Sequence, residues 1–256
     1  AGSMKPFVVP TPSRFLPPPP PALSSATWVD DVAEVKAMGQ DTSASRTPEQ
    51  TAIGRFYTAN TVRQFNRLAR DIAADRSLGR LETARLAAMV NMVAADAGIS
   101  VLHAKYHYLF WRPVTAIDPT SVKPAGDGFG PVPGFDDGNP ATVEQAGWRP
   151  LVTTPNHPEY PAAHGTVTSA MAEVLTTFLG TNWIDIDLHG FDPAGAAGNL
   201  DAVRHFDRAN DLRAEVIGAR LWGGVHYRTS SEAGVALGRS VAKYDLRHAF
   251  RPLDEK

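Results

Sequence analysis

Cysteine is absent from the 256-residue chain. That rules out a disulfide framework, a thiolate metal site and a thiol nucleophile, and leaves the redox compartment unread. Neither sign of charge dominates: 25 basic side chains stand against 27 acidic ones, a formal net charge of −2. A polybasic nucleic-acid surface and a charged tail are therefore not expected, and no nucleic-acid partner is. No apolar run reaches the roughly 18–20 residues that a bilayer crossing needs, so no membrane span is expected. Alternating strand patterns are also scarce. What is present is 43% hydrophobic side chains, enough for one sizeable core.

The opening Ala1-Gly2-Ser3-Met4 reads as a cloning remnant, so residues 1–4 are set aside. If a leader was removed ahead of Lys5, the natural protein is secreted or periplasmic. Residues 5–25 are proline-dense, with an unbroken run from Pro17 to Pro21. Few backbone donors and a polyproline II preference make this an extended arm, laid over the surface or projecting from it as a PxxP-type ligand. Residues 26–256 then read as one all-α helical bundle with long irregular loops.

The Thr47-Pro48-Glu49-Gln50 stretch carries an N-cap threonine, a first-turn proline and a glutamine at capping-box spacing. Apolar periodicity predicts helices over about 61–74, 81–111, 165–179, 201–222 and 230–247. The second of these, with Leu86, Met89, Val90, Val93, Ala97 and Val101, reads as a buried central helix that stops near Arg112, ahead of Pro113. Residues 118–160, rich in glycine and proline, read as a long functional loop.

Three fragments carry candidate chemistry. Lys105 and Arg112 are seven apart, so on one helix they share a face about 10 Å apart along the axis, unless both are merely solvated. His164 follows Tyr160-Pro161-Ala162-Ala163 at the start of a helix, where unpaired N–H groups and the macrodipole favour an anion; a simple polar cap is the plainer reading. Arg220 and His226 flank Gly223-Gly224, which can end a helix and curl His226 back beside Arg220; a chance histidine after a glycine cap is the alternative. Together they supply three cations, two histidines and a helix N-terminus, the inventory for holding a tetrahedral oxyanion and moving protons on it.

These fragments, Lys105-x6-Arg112-Pro113, Pro161-x-x-His164 and Arg220-x5-His226, resemble the three-part signature of vanadium-dependent haloperoxidases and the related type 2 phosphatidic acid phosphatases. The likeness is closer to the bacterial helical-bundle haloperoxidase-like proteins and runs from about Pro10 to Pro252. It implies vanadate as cofactor, with phosphate able to occupy the same site. By this resemblance His226 binds vanadium, while Lys105, Arg112, Arg220 and the Ala163 backbone N–H hold the oxygens. His164 is the acid–base residue, and Lys105 polarises bound peroxide. Hydrogen peroxide and halide then give hypohalous acid, which halogenates a small organic acceptor, with vanadium in one oxidation state throughout. As a phosphatase, the same site makes His226 the nucleophile, through a phosphohistidine, and His164 the proton donor to the leaving alcohol.

The chain departs from the pattern in two places. Ala162 and Ala163 stand where the family usually has serine and glycine, which removes one hydroxyl from the anion. Ser230 stands where many relatives carry an aspartate behind the last histidine; Glu232 is the acid near in sequence, and the loss weakens the phosphatase reading more. His157, seven before His164, occupies a position where bromide-oxidising members often carry histidine, so bromide or iodide is the expected halide.

Other readings compete. His103 and His107 have a zinc-binding spacing, but Lys105 between them repels a cation, so they read as polar neighbours of the pocket or of a helix contact. Asp201 and His205 read as a solvated helix face. A degenerate, non-catalytic anion-binding member is kept open by Ala162 and Ser230. A homodimer through a helix face is compatible with the apolar content, although no feature demands it.

Overall fold

The computed structural model describes residues 2–118, 120, 137–190 and 202–250. Among them, helices dominate. Ser25 caps α1 (Ala26–Gly39) by accepting from the Trp28 N–H. The capping box at Thr47 and Gln50 forms as expected and starts α2 (Pro48–Phe56). The amphipathic α3 (Thr61–Asp75) buries Phe65, Leu68, Ala69 and Ile72.

The central helix is α4 (Arg80–Tyr108), which packs against α3, α6 (Ala163–Leu179) and α8 (Arg228–His248). It ends earlier than its apolar pattern predicts. Leu109 turns into the left-handed region at φ 51°, and its N–H bonds back to the Lys105 carbonyl. Arg112 therefore does not ride on this helix. It is the N-cap residue of the short α5 (Pro113–Ile117), so the expected shared helix face with Lys105 is not how the two cations meet.

By length and hydropathy the stretch Arg80–Ile117 contains a window apolar enough to cross a membrane, contrary to the reading of the apolar runs. Half of that window is buried inside the fold, where Leu86, Met89, Val90, Val93 and Ala97 form the centre of the core.

The second correction is a small sheet. Trp183-Ile184-Asp185-Ile186-Asp187-Leu188-His189 alternates strictly, with Ile184, Ile186 and Leu188 buried, and forms β1 (Trp183–His189). It pairs antiparallel with β2 (Val203–Arg208), which occupies the start of the helix expected over 201–222. His205 thus stands on a strand, opposite Asp187, rather than on a helix; Asp201 lies outside the described residues. The helix itself, α7, covers Ala209–Trp222.

Two glycines let the bundle close. A Cβ on Gly238 of α8 would sit 1.9 Å from the Thr166 carbonyl oxygen, so only glycine permits α6 and α8 to approach this closely. Gly224, at φ +73°, ends the run after α7, and a Cβ there would meet the Gly39 oxygen at 2.3 Å.

The proline-rich arm lies on this scaffold. The N–H groups of Phe7, Val8 and Val9 all donate to the buried Asp96 carboxylate of α4, at 2.6 to 3.0 Å. Further along, Tyr108 donates its hydroxyl to the Pro17 carbonyl and Tyr160 to that of Pro18. His103 places Nδ1 3.1 Å from the Gly2 carbonyl oxygen and stacks loosely on His107, so this pair meets the residues ahead of the arm. Of the loop expected over 118–160, residues 119 and 121–136 lie outside the described residues; those from 137 onward run without helix or strand apart from one isolated bridge at Pro150.

Candidate functional site

Five sequence-separated cationic or imidazole side chains converge where α4 and α7 end and α5 and α6 begin. Lys105, in the last turn of α4, is fully buried and donates from Nζ to the carbonyls of Pro158 and Glu159, at 2.9 and 2.7 Å. Arg112 reaches the same place from the N-cap of α5. Its Nη1 donates to the Val225 carbonyl at 2.7 Å and lies 3.2 Å from His226 Nε2. Its Nε and Nη2 each donate to the His157 carbonyl at 3.1 Å, and Nη2 also lies 3.1 Å from His157 Nδ1.

The glycine pair after α7 behaves as its sequence suggests. Gly223 and Gly224 bond back to the Ala219 and Leu221 carbonyls, and Val225 to that of Arg220. This curl turns the Val225 carbonyl and the His226 ring toward Arg112. Arg220, 2% exposed, spends Nη1 on the Tyr57 carbonyl at 2.8 Å, while its buried Nε has no hydrogen-bond partner.

His164 is the second residue of α6 and is partly buried. No side chain caps this helix, so the N–H groups of Ala163, His164 and Gly165 lack acceptors within the helix. Ala162 is fully buried, with its N–H on the Ser230 carbonyl at 3.0 Å. The alanine that replaces the family's serine is thus packed against α8.

Sequence reasoning missed Glu159. It precedes Tyr160-Pro161 in the loop entering α6 and is fully buried. Its Oε1 accepts from His226 Nδ1 at 2.7 Å and from the Tyr227 N–H at 3.1 Å. The carboxylate missing at position 230 therefore comes from the loop before α6, not from Glu232, which is exposed. Ser230 lies beside the Glu159 carboxylate and favours its charged form. Even so, Ser230 Oγ and Glu159 Oε2 lack a hydrogen-bond partner at ordinary distance. The one advance signal was physical: inward-facing cations need a buried counter-charge, and an acid beside the proline turn could supply it.

The electrostatics follow from burial. Desolvation, then the neighbouring Arg112, holds the Lys105 ammonium well below its ordinary pKa, with Arg220 adding and Glu159 opposing. Desolvation brings Arg112 down to about 10, against the pull of Glu159, and Arg220 down to about 9, with Arg112 adding. Both guanidiniums remain charged at neutral pH. Burial raises Glu159 to about 7, with Lys105 and Arg112 pulling the other way.

The histidines are pushed toward the neutral form. Desolvation and then the site's cations hold His226 and His164 well below 6.5 and His157 at about 4; the Ala59 backbone favours the charged form of His164. Neutral His226 has one tautomer compatible with its neighbours. Arginine offers only donors, so Nε2 accepts from Arg112 and Nδ1 carries the proton given to Glu159. A buried cationic cluster with one acidic neighbour, a free guanidinium N–H, uncapped helix N–H groups and an imidazole lone pair can hold an oxyanion through both charge and a nitrogen donor.

Comparison with known proteins finds relatives of this chain and of its fold. Residues 85–255 match the family model for the VCPO second helical-bundle domain. Vanadium chloroperoxidase from Curvularia inaequalis is 28% identical over 268 residues, covering 84% of this chain and 43% of the relative. The crystal structure of the first bacterial vanadium-dependent iodoperoxidase superposes with a TM-score of 0.73 at 26% identity, over 95% of this chain and 55% of that one. An apo-type bacterial vanadium-dependent chloroperoxidase gives a TM-score of 0.69 at 21% identity, over 96% and 55%, and shows a shared fold. The chain thus spans about half the length of the relatives it matches.

Proposed function

We infer the activity of this chain from one premise: it belongs to the family of the VCPO second helical-bundle domain. The reading is a vanadate-dependent haloperoxidase that oxidises bromide or iodide with hydrogen peroxide to hypohalous acid. The observation that carries it is the His226 Nε2 lone pair against Arg112, with the buried Lys105 and Arg220 side chains near the same ring. A phosphate site needs the cations alone; a nitrogen donor among them fits vanadate as well.

Vanadate held there supplies a Lewis-acidic centre that activates peroxide toward attack by halide. His226 would hold vanadium through Nε2, and Lys105, Arg112, Arg220 and the Ala163 N–H would hold the oxygens. Arg220 Nε, buried and unpartnered, is the donor with most to gain from an anion. His164, neutral because it is desolvated and lies beside Arg220, can take a proton from peroxide at a ring nitrogen and return it. Lys105 also holds the loop carrying His157 and Glu159 through its two carbonyl bonds. His157, partly buried against Arg112, supports bromide or iodide as the halide, as does the likeness to an iodoperoxidase.

One observation favours a phosphatase as the second reading. The Glu159–His226 pair supplies the oriented imidazole that a phosphohistidine route requires. Bromination of a phenolic dye by protein loaded with orthovanadate, dependent on both peroxide and bromide, tests the first reading. Turnover of p-nitrophenyl phosphate, inhibited by orthovanadate and without peroxide-dependent bromination, would replace it with the second. Loss of neither activity on His226→Ala would overturn both.

A further inference from the structure

We propose that Glu159 is a positioning residue that sets the His226 tautomer and so makes the pocket prefer vanadate to phosphate. The proposal rests on the reading of His226 as the vanadium ligand. Its own ground is the geometry at the two ring nitrogens. Glu159 Oε1 receives two N–H groups, from His226 Nδ1 at 2.7 Å and Tyr227 N at 3.1 Å, so this oxygen is fixed as an acceptor. The pair is sealed from water, with the histidine 1% exposed and the glutamate 0%. No solvent can compete for Nδ1–H, and its placement leaves Nε2 unprotonated on the cationic side.

The consequence differs between two anions of similar shape. Vanadate gains a bond from an unprotonated ring nitrogen. Phosphate gains only charge and hydrogen bonds, and an unprotonated nitrogen is a poor neighbour for its oxygens. With Glu159 removed, Arg112 alone opposes a proton on Nε2, and phosphate that draws Arg112 onto its own oxygens leaves the ring free to donate to it. Loss of one negative charge also strengthens the field that any anion feels. Glu159 therefore favours vanadate and disfavours phosphate, a split that a merely structural role would not produce.

Ser230 offers the rescue. It is 1% exposed, lies on the first turn of α8 and neighbours the same carboxylate. A carboxylate introduced there can reach Nδ1 once Glu159 has been vacated. Beside an intact Glu159, it would force two buried carboxylates together.

The test uses the full chain, with orthovanadate and inorganic phosphate as probes in calorimetric titrations and nitrogen NMR of ¹⁵N-labelled histidine with and without phosphate. Parent protein is expected to show His226 with a protonated Nδ1 and a bare Nε2. In Glu159→Ala the Nε2–H form appears when phosphate binds, and the ratio of vanadate to phosphate affinity falls about 10- to 100-fold, with phosphate binding unchanged or tighter. Glu159→Ala/Ser230→Asp restores the tautomer and most of the ratio.

Should the alanine variant fail to fold, Glu159→Gln serves. Its amide oxygen keeps the tautomer, and the ratio falls by less. An unchanged tautomer and ratio in folded Glu159→Ala, or a ratio that collapses in Glu159→Gln while the tautomer is kept, overturns the proposal, as does equal loss of both anions. Failure of the haloperoxidase reading is distinguishable, because it removes vanadate binding from the parent while the tautomer measurement still stands.

Discussion

His226 and His205 each hold Nδ1 against a carboxylate, at 2.7 Å from Glu159 and 2.9 Å from Asp187. His226 sits among buried cations, and desolvation drives it toward the neutral form. His205 stands on the exposed ribbon with Asp185, Asp187 and Asp207 around it, and its hydrogen bonds to Asp187 and Asp207 raise its pKa. The same imidazole–carboxylate contact thus holds a neutral ring among buried cations in one place and makes a solvated ion pair in the other. Water and the sign of the next charge decide which, not the pair itself.

Removing a cation from the buried pair's surroundings should have the largest effect. Arg220→Ala is expected to lower bromide oxidation about 10²- to 10³-fold in steady-state assays. It should also move His226 back toward its ordinary pKa in an NMR titration. A loss below threefold would make Arg220 a structural cation only.

Acid should break the comparison from the other side. His157, His164 and His226 have lowered pKa values, so the unfolded chain takes up their protons near 6.5 and the folded chain only below that. The stability they contribute is present above about pH 6.5 and lost on descent toward pH 4. Glu159, raised to about 7, works oppositely: the folded chain binds the extra proton, so stability is lost as pH rises from 4.5 through 7. In Asp245→Asn protein, which removes the other acid raised far by burial, three histidines against one glutamate predict a vanadate-free melting temperature that falls by several degrees from pH 7 to pH 4.5. A flat profile would deny the burial of these histidines.

A buried carboxylate with no histidine beside it gives a smaller, opposite test. Asp245 is fully buried, neither oxygen has a partner, and burial with Asp96 nearby raises it to about 8. Its stabilising protonation is lost as pH rises from 3.8 through 8. Asp245→Asn escapes this linkage, so its melting temperature should exceed the parent's by a margin that grows to about pH 8 and then levels.

The least effect belongs to the ribbon. His205→Gln should leave the melting temperature unchanged within error, because an exposed pair contributes little. Asp187→Asn should lower the His205 pKa, and the raised value should shrink in high salt.

How much of this was legible in the sequence depended on whether local pattern or long-range packing fixed each feature. The Thr47–Gln50 capping box, the glycine break after Trp222 and the helix entry at Ala163 are local, and each formed where the residues dictate. The five candidate residues were named from spacing and family likeness, and the fold brings their side chains near one another. The route for Arg112 was not, because Leu109 leaves the helix while the apolar pattern continues to Trp111. The β1 strand carried a clear alternation in Trp183–His189, overlooked among stronger helical signals. Glu159 reaches His226 across 67 residues of chain, a pairing that no periodicity encodes.

A crystal structure of the chain soaked with orthovanadate tests the central claim most directly. The account predicts vanadium at bonding distance from His226 Nε2, with Arg112 turned from that nitrogen to an anion oxygen and Arg220 Nε and the Ala163 N–H also donating. Vanadate bound away from His226, or a pocket in which Arg112 keeps its contact with His226 Nε2 at saturating vanadate, would contradict it.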